Sequence, residues 1–276
     1  MDKKVWLITG SSRGLGRALA EAVLEAGHFL VATVRNVSSL NDLKEKYVDQ
    51  ILVAELDVTN EQQAINVIKT TFDKLGRLDV IVNNAGYGNL NSIEETTMTD
   101  FRQQVETNLF GTVIVTKAAL PKLREQGFGH IIQISSVGGR IGPIGRGAYA
   151  AAKWGVEGFS ETLSKEVAPL GIKVTIVEPG GFRTDFAGTS ATIEDGLPAY
   201  DTTVGKAARF QRDYSGKQPG DPRKASKAII HITTVEEPPL RLLLGKDAVN
   251  GVEQNDRAKT EADKKWREIS ASTDFE

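Results

Sequence analysis

The chain has 276 residues, 40% of them hydrophobic, and its formal net charge at pH 7 is −2. This length and composition suit one large α/β domain or two small ones, because either can bury a substantial core. The near-neutral charge, with basic residues dispersed along the chain, argues against a nucleic-acid partner.

Several features constrain cellular location and metal binding. The chain contains no cysteine, which excludes disulfides and thiolate sites and fits a reducing compartment. The apolar run in MDKKVWLITG (1–10) is too short for a signal peptide or a membrane span. The histidines, His28, His130 and His231, are far apart and lack carboxylates at metal-ligand spacing. We therefore expect a cytoplasmic protein with no membrane partner and no metal.

Short apolar runs alternate with segments of helical periodicity from the first residues onward. Strands that are apolar on both faces are typical of a parallel sheet covered by helices on each side. The sequence therefore predicts a doubly wound α/β fold with a seven-stranded parallel sheet. The predicted strands are 5–9, 29–34, 51–56, 78–82, 130–135, 172–177 and 240–245.

Two helices are marked by the spacing of their residues. Leu19 and Val23 belong to an apolar series at helical intervals, and Gly27 follows it as a stop signal. Thr59 and Gln62 have the spacing of a capping box, which predicts that the next helix begins there.

The organisation of the chain favours a single domain over residues 1–276, because no linker, repeat or low-complexity tract interrupts the alternation. Segment 182–222 contains scattered glycines and prolines and precedes the last strand. We expect it to form a substrate lid beside the carboxyl ends of the strands; a mobile surface loop is the alternative. The polar tail predicts a surface helix with a frayed end.

A glycine-rich turn, TGSSRGLG (9–16), follows the first predicted strand directly and opens the first helix. Gly10 permits a tight turn, Gly14 lets the backbone approach a pyrophosphate, and Gly16 allows close packing of helix on strand. The amino end of the helix adds oriented N–H groups for an anion. Together these features predict nucleotide binding.

The stretch YAAAK (149–153) places a phenol and an ammonium one helical turn apart on one face. A charge about 5 Å away, at an effective dielectric of about 20, contributes about 3 kcal/mol and lowers the phenol pKa from about 10 to about 8. We therefore expect Tyr149 to exchange a proton near neutral pH. An alanine-rich helix with a surface lysine is the alternative.

Motifs that occur in a particular order resemble those of a known family. They are TGSSRGLG (9–16), LDVT (56–59), NNAG (83–86), NLFG (108–111), ISS (134–136), YAAAK (149–153) and PGGFRT (179–184). Their order and spacing resemble the short-chain dehydrogenases/reductases, in the compact single-domain branch, over roughly residues 3–245. The resemblance implies a Rossmann fold and an oxidoreductase that interconverts a ketone or aldehyde and an alcohol.

The resemblance also implies a catalytic tetrad. Tyr149 is expected to be the general acid in reduction and the base in oxidation, while Ser136 hydrogen-bonds the carbonyl oxygen. Lys153 is expected to bind the nicotinamide ribose and keep the phenol acidic. Asn108 is expected to kink its helix and anchor a water for proton exchange with Lys153. Taken singly, Ser136 and Asn108 are also compatible with local hydrogen bonding alone.

A larger set of residues is implied to bind the cofactor, with Asp57 at the adenine ring and Thr184 at the carboxamide. The implied set is Gly10, Ser12, Arg13, Gly14, Leu15, Gly16, Arg35, Asp57, Val58, Asn84, Ala85, Gly86, Tyr149, Lys153, Pro179, Gly180 and Thr184.

The end of the second strand, ATVRN (32–36), bears on the choice of cofactor. NAD-preferring enzymes place an acidic residue there for the ribose hydroxyls, but Val34 occupies the position and Arg35 follows. Arginine suits a 2′-phosphate, and Arg13 in the glycine turn supplies a second cation. We expect NADP(H) to be preferred, with NAD(H) possible if both arginines are merely solvated.

The substrate is expected to be a small, mostly apolar carbonyl compound or alcohol. Arg140 and Arg146 lie between Ser136 and Tyr149, where they either reach a substrate carboxylate or are solvated. Parts of the predicted lid are expected to border the pocket, together with Tyr87, Leu90, Val137, Pro143, Ile144, Gly181, Phe182 and Phe186.

Two further expectations concern function and assembly. A non-catalytic NADP(H)-binding sensor on the same fold is the alternative function, although such proteins need not keep the tetrad. The resemblance implies a homodimer or homotetramer, built from the helix near 100–125 and the helix that carries Tyr149.

Overall fold

The computed structural model describes residues 3–187, 192–194 and 196–275. Within them, seven strands form one sheet in the order β3-β2-β1-β4-β5-β6-β7, and every adjacent pair is parallel. The predicted doubly wound parallel sheet is confirmed. The strands are β1 (Val5–Thr9), β2 (Phe29–Val34), β3 (Ile51–Glu55), β4 (Val80–Asn83), β5 (Gly129–Ile134), β6 (Ile172–Pro179) and β7 (Arg241–Leu244).

Helices connect the strands and cover both faces of the sheet. None of those in the described residues combines the length and apolar character needed to cross a membrane. The α-helices are α1 (Gly14–Glu25), α2 (Asn41–Lys46), α3 (Glu61–Leu75), α4 (Met98–Val105), α5 (Gly111–Gln126), α6 (Gly147–Val167), α7 (Lys206–Tyr214), α8 (Pro222–Ile232) and α9 (Lys246–Ala271).

The core is divided by the sheet into two clusters, as alternation along β1 illustrates. Trp6 and Ile8 belong to the cluster that includes apolar residues of α1 and α8. Leu7 points to the other face, into the cluster built with α3, α5 and α6. Each large aliphatic side chain buried in this way contributes about 1.5–3 kcal/mol to folding. Because its strands carry apolar residues on both faces, the sheet is buried between the two clusters.

The helix boundaries agree with the sequence at one predicted site and differ at the other. Gly27 has φ +81° and follows the end of α1, as a glycine stop signal predicts. The capping box at Thr59 and Gln62 was wrong, because Asn60 is the N-cap and its side chain accepts a hydrogen bond from the Gln63 N–H. The Thr59 hydroxyl instead donates to the Asp57 carboxylate at 2.8 Å.

The strand order reverses direction between β1 and β4, which places a crevice at the carboxyl ends of these strands. The glycine turn after β1 and the segment after β4 both lie at this edge. Segment 182–222, the predicted lid, includes α7; its residues 188–191 and 195 lie outside the described residues.

Candidate active site

The glycine turn after β1 is held by the end of β4. The Asn84 side-chain amide donates to the carbonyl oxygens of Thr9 at 2.9 Å and Gly10 at 3.2 Å. The Thr9 hydroxyl accepts the backbone N–H groups of Asn84 at 2.9 Å and Ala85 at 3.0 Å. A Cβ at Gly16 would collide with the Asn84 amide, so that glycine allows the two segments to meet. The turn is therefore rigid, and Thr9 is a contributor that the sequence did not reveal.

The amino end of α1 opens toward the same crevice. Its N-cap, Arg13, makes no side-chain capping hydrogen bond. Gly14 has φ +58°, a conformation that favours glycine, and its missing Cβ would lie 3.5 Å from Thr184. The first N–H groups of the helix thus remain available to an anion.

Ser136, Tyr149 and Lys153 are brought together by β5 and α6. Ser136 follows β5, and its Oγ accepts the Gly138 N–H at 3.0 Å. It also shares a side-chain hydrogen bond with Tyr149. Lys153 lies one turn along α6 and donates from Nζ to the Ile134 carbonyl at 2.8 Å. Its Nζ is 5.7 Å from the centroid of the Tyr149 ring.

The predicted acidification of the phenol was wrong. Burial raises the pKa of Tyr149, and this effect outweighs the hydrogen bond from Ser136 and the charge of Arg146, which both lower it. Burial also lowers the pKa of Lys153 to about 8, against an opposing contribution from Glu157. The spacing in the sequence reveals the nearby ammonium, whereas the free-energy cost of burying the phenolate depends on tertiary packing.

Asn108 lies in a π-helical turn, Glu106–Phe110, between α4 and α5, where the sequence predicted a kink. It is fully buried, and its amide donates to the carbonyl oxygens of Gln104 and Tyr87, each at 2.8 Å. Its Oδ1 accepts the Tyr87 N–H at 3.2 Å. Asn108 therefore combines a local helical bond with a tie to the segment after β4.

One cavity of about 930 Å³ joins these features. This volume lies within the range of cofactor and ligand sites. Asn108 is not part of the wall and lies behind it. The wall contains all the predicted cofactor residues, Gly10, Ser12, Arg13, Gly14, Leu15, Gly16, Arg35, Asp57, Val58, Asn84, Ala85, Gly86, Tyr149, Lys153, Pro179, Gly180 and Thr184, together with Ser136.

The end of the cavity near β2 and β3 carries Arg13, Val34, Arg35 and Asp57. Both arginines are exposed, and neither forms an ion pair within the described residues. The Asp57 carboxylate is occupied by the backbone N–H and hydroxyl of Thr59, at 3.0 and 2.8 Å. Two cations therefore remain at this end without a counter-ion in the part of the chain that the structure describes.

Only some of the residues expected to border the substrate pocket line the cavity. Leu90 is buried in a small cluster with Val204 and Ala208, away from the cavity, and Ile144 is 58% exposed on the surface. The other predicted residues line it: Tyr87, Val137, Pro143, Gly181, Phe182 and Phe186. The lining also includes Arg146, which was expected either to reach a substrate carboxylate or to be solvated. Three residues of the predicted lid segment line it as well, namely Gln211, Tyr214 and Gln218.

A buried carboxylate pair lies behind the Ser136 segment. Glu178 is inaccessible to solvent, and burial together with neighbouring Glu157 raises its pKa to about 7. Arg140 and Arg241 each lie within 3.5 Å of Glu178. Arg140 is thereby held in ion pairs with Glu178 and with Asp256 on α9. No sequence motif marked this cluster, because its members are far apart in the chain.

Metal binding has no support in the geometry. Across the described ranges of the chain, no three or more histidine, aspartate or glutamate side chains are grouped closely enough to hold a metal ion.

Comparison with known proteins decides the family. The family model for the short chain dehydrogenases matches residues 4–194. The chain belongs to the short-chain dehydrogenase/reductase family. Its glycine turn, tyrosine and lysine are therefore those of a family built around a nicotinamide cofactor.

Two relatives of this short-chain dehydrogenase/reductase match it over most of their length. Oxidoreductase BOA17 of Botryotinia fuckeliana is 46% identical over 271 residues, which cover 98% of this chain and 99% of that protein. The 3-ketodihydrosphingosine reductase of Bacteroides thetaiotaomicron is 34% identical and covers 89% of each protein.

Solved structures of the family share the fold. A short-chain dehydrogenase from Streptomyces avermitilis has a TM-score of 0.93 and 42% identity, over 99% of this chain and 100% of that one. An alcohol dehydrogenase from the archaeon Thermococcus sibiricus, complexed with 5-hydroxy-NADP, has a TM-score of 0.73 and 26% identity, over 88% and 96%. This short-chain dehydrogenase/reductase is an oxidoreductase that acts on CH–OH or carbonyl groups with a nicotinamide cofactor.

Proposed function

We propose that the protein is an NADP(H)-dependent oxidoreductase that interconverts a ketone or aldehyde and the corresponding alcohol, with Tyr149 as general acid and base. The observation that carries the proposal is the meeting of Tyr149, Ser136 and Lys153 in the cavity that also contains the glycine turn. The proton donor, Tyr149, and the glycine turn that we assign to the dinucleotide thus line the same cavity.

The residues of the cavity fit a nicotinamide dinucleotide. The amino end of α1 has no side-chain cap, so its N–H groups suit the pyrophosphate. Lys153, held by the Ile134 carbonyl, is the cation we assign to the ribose hydroxyls. Asp57 and Val58 line the cavity beyond the glycine turn and are assigned to the adenine, and Thr184 is assigned to the carboxamide.

The proton chemistry belongs to the protein. When bound, the reduced nicotinamide supplies a hydride to the carbonyl carbon. Tyr149 donates its hydroxyl proton to the carbonyl oxygen, and Ser136 hydrogen-bonds the same oxygen, which becomes the alcohol. Because burial raises the pKa of Tyr149, the phenol keeps its proton near neutral pH until this transfer. In oxidation the same oxygen, as the phenolate, receives the alcohol proton, so that direction begins from the deprotonated phenol.

The preference for NADP(H) is supported by charge at the β2 end of the cavity. Arg13 and Arg35 line it without ion pairs in the described part of the chain, and Val34 stands where an acidic residue would bind ribose hydroxyls. A 2′-phosphate supplies the negative charge that these guanidinium groups lack.

The reaction is tested by the absorbance change at about 340 nm, with NADPH and separately NADH, against a panel of ketones and aldehydes. We expect wild type to consume NADPH, whereas Tyr149→Phe binds the cofactor but is at least about 100-fold slower, the lower end of the contribution of a general acid. Cofactor binding without turnover of any carbonyl would instead favour the non-catalytic sensor.

Cofactor choice is tested separately with a double variant, Val34→Asp with Arg35→Leu. We expect kcat/KM to shift toward NADH, because the carboxylate binds the ribose hydroxyls and repels a 2′-phosphate. Unchanged kinetics with both cofactors would refute the assignment.

Two finer proposals concern the lid and assembly. Segment 182–222 contributes Phe186, Gln211 and Tyr214 to the cavity wall, which supports a role in enclosing the substrate.

A homodimer or homotetramer through α4, α5 and α6 is proposed from family resemblance. Sedimentation that shows only monomer at micromolar protein would remove that proposal.

A further inference from the structure

Arg146 forms part of the cavity wall beside Tyr149, immediately before α6 begins. Its Nη1 donates to the Gly88 carbonyl at 3.1 Å, and its Nη2 donates to Gln211 Oε1 at 3.3 Å. Its guanidinium carbon is 5.9 Å from the centroid of the Phe186 ring. A guanidinium has five N–H donors, and both of these bonds go to neutral oxygens, so donors are left without a partner among the described residues.

Arg146 differs from other partly buried arginines of the protein in the charge of its hydrogen-bond partners. Arg17, Arg140 and Arg241 each contact two or more carboxylates. Arg146 has no carboxylate partner among the residues that the structure describes. Burial lowers the pKa of Arg146, which is the electrostatic mark of a cation without a counter-ion. A buried cation is usually retained where something neutralises it.

Gln218 gives an independent indication that the cavity expects a polar occupant. It is 2% exposed and lines the same cavity. Neither its amide nitrogen nor its amide oxygen has a hydrogen-bond partner in residues 3–187, 192–194 and 196–275. Buried amides are normally paired, so an unpaired one in a cavity wall points to a ligand that supplies the missing bonds.

We propose that Arg146 binds a carboxylate group of the substrate, so that the enzyme reduces an oxo acid or oxidises the matching hydroxy acid. The inference rests on the proposed function, since it needs the carbonyl to lie at Tyr149. One guanidinium balances a single negative charge, which suits a carboxylate better than a doubly charged phosphate.

The geometry limits how far apart the two groups of the substrate lie. The centroids of the Phe186 and Tyr149 rings are 5.5 Å apart. The Phe186 centroid is 5.9 Å from the guanidinium carbon of Arg146. One side chain thus touches both ends of the subsite. A carbonyl and a carboxylate separated by a few bonds span it, and Tyr87 and Tyr214 add aromatic surface for an aryl or alkyl remainder.

The kinetic test uses pairs of probes in which a neutral methyl ester replaces the carboxylate: benzoylformate and benzoylpropionate, each with its methyl ester. We expect wild type to favour at least one acid over its ester by about 10- to 100-fold in kcat/KM, as for a charge-assisted hydrogen bond. Arg146→Gln removes that preference, and Arg146→Lys restores part of it. The acid-to-ester ratio is decisive, because general damage near Tyr149 slows both probes alike.

Arg124→Gln is the matched control, because it removes the same charge from the exposed end of α5. It keeps the acid-to-ester ratio of wild type. Equal rates for acid and ester in wild type, or a ratio unchanged in Arg146→Gln, would overturn the inference and leave the proposed carbonyl reductase standing.

A binding measurement separates failure of the inference from failure of the proposed function. The oxidised cofactor and an oxo acid form a pair that cannot react, so calorimetry with NADP⁺ present reports binding without turnover. We expect the acid to bind at least about 10-fold more tightly than its ester in wild type and equally in Arg146→Gln. Selective binding without turnover of any probe would support the anion subsite and refute the reductase. Equal binding refutes the subsite.

Discussion

Gly88 fixes the position of the Tyr149 ring, and its replacement by alanine tests whether that position matters. A Cβ at residue 88 would lie 2.7 Å from Tyr149 Cδ2 and 3.0 Å from Cγ. Carbon atoms in contact normally lie about 3.5 Å apart, so the ring must move by about 0.8 Å. Because a displacement of about 1 Å at a reacting group costs up to about 100-fold, we expect kcat to fall about 10- to 100-fold in Gly88→Ala.

The assay is steady-state reduction with NADPH, together with the dissociation constant of NADPH and the thermal midpoint. Cofactor affinity is expected to change little, since Gly88 is not part of the predicted cofactor set. Gly142→Ala is the control, because a Cβ there meets no described atom within 4 Å, although Gly142 lies between Ser136 and Tyr149 in the sequence. If both variants retained wild-type kcat, the inferred dependence on the phenol position would be refuted.

Two buried bases each predict a stability that rises with pH, in two different pH ranges. The pKa of Lys153 is lowered from 10.5 to about 8, so between these values the unfolded chain holds more protons and stability rises with pH. Without cofactor, the unfolding free energy of wild type relative to Lys153→Met should gain about 1.4 kcal/mol per pH unit between about 8 and 10 in urea titrations; a flat difference contradicts this. The pKa of His130, next to the Thr175 hydroxyl, is lowered by burial from 6.5 to about 3. Wild type should lose about 3 kcal/mol between about pH 6.5 and 4.5 relative to His130→Gln, and parallel curves would refute the assignment.

The fold was predictable because each strand is marked in the sequence by a short run of apolar residues. Each predicted apolar run corresponds to an observed strand, and the differences are confined to the ends: β4 begins at Val80 instead of 78, and β7 spans Arg241–Leu244 instead of 240–245. Burial on both faces demands apolar residues at consecutive positions, a pattern that survives without knowledge of the partners. Caps are less predictable, as Asn60 shows, because neighbouring polar residues compete for the same N–H groups.

The cofactor wall was predictable for a different reason: its residues are close in sequence to strand ends and occur in family motifs. The substrate side was less so. Ile144 and Leu90 were expected in the pocket on hydrophobicity alone, but one is exposed and the other packs on Val204. Gln218 lies in the predicted lid segment 182–222, but nothing in the sequence singled it out among its neighbours as a cavity residue. Tertiary contacts of this kind leave no local pattern.

The Tyr149–Lys153 pair shows where sequence reasoning about electrostatics stops. Spacing correctly predicted that the two side chains share one helix face, with Nζ 5.7 Å from the ring centroid. It did not reveal that both groups are buried, and burial disfavours the phenolate and the ammonium alike, raising one pKa and lowering the other. The groups that lower the phenol pKa are Ser136 and Arg146. If Arg146 also binds a substrate carboxylate, part of its charge is neutralised when substrate binds, which favours the protonated phenol that reduction requires.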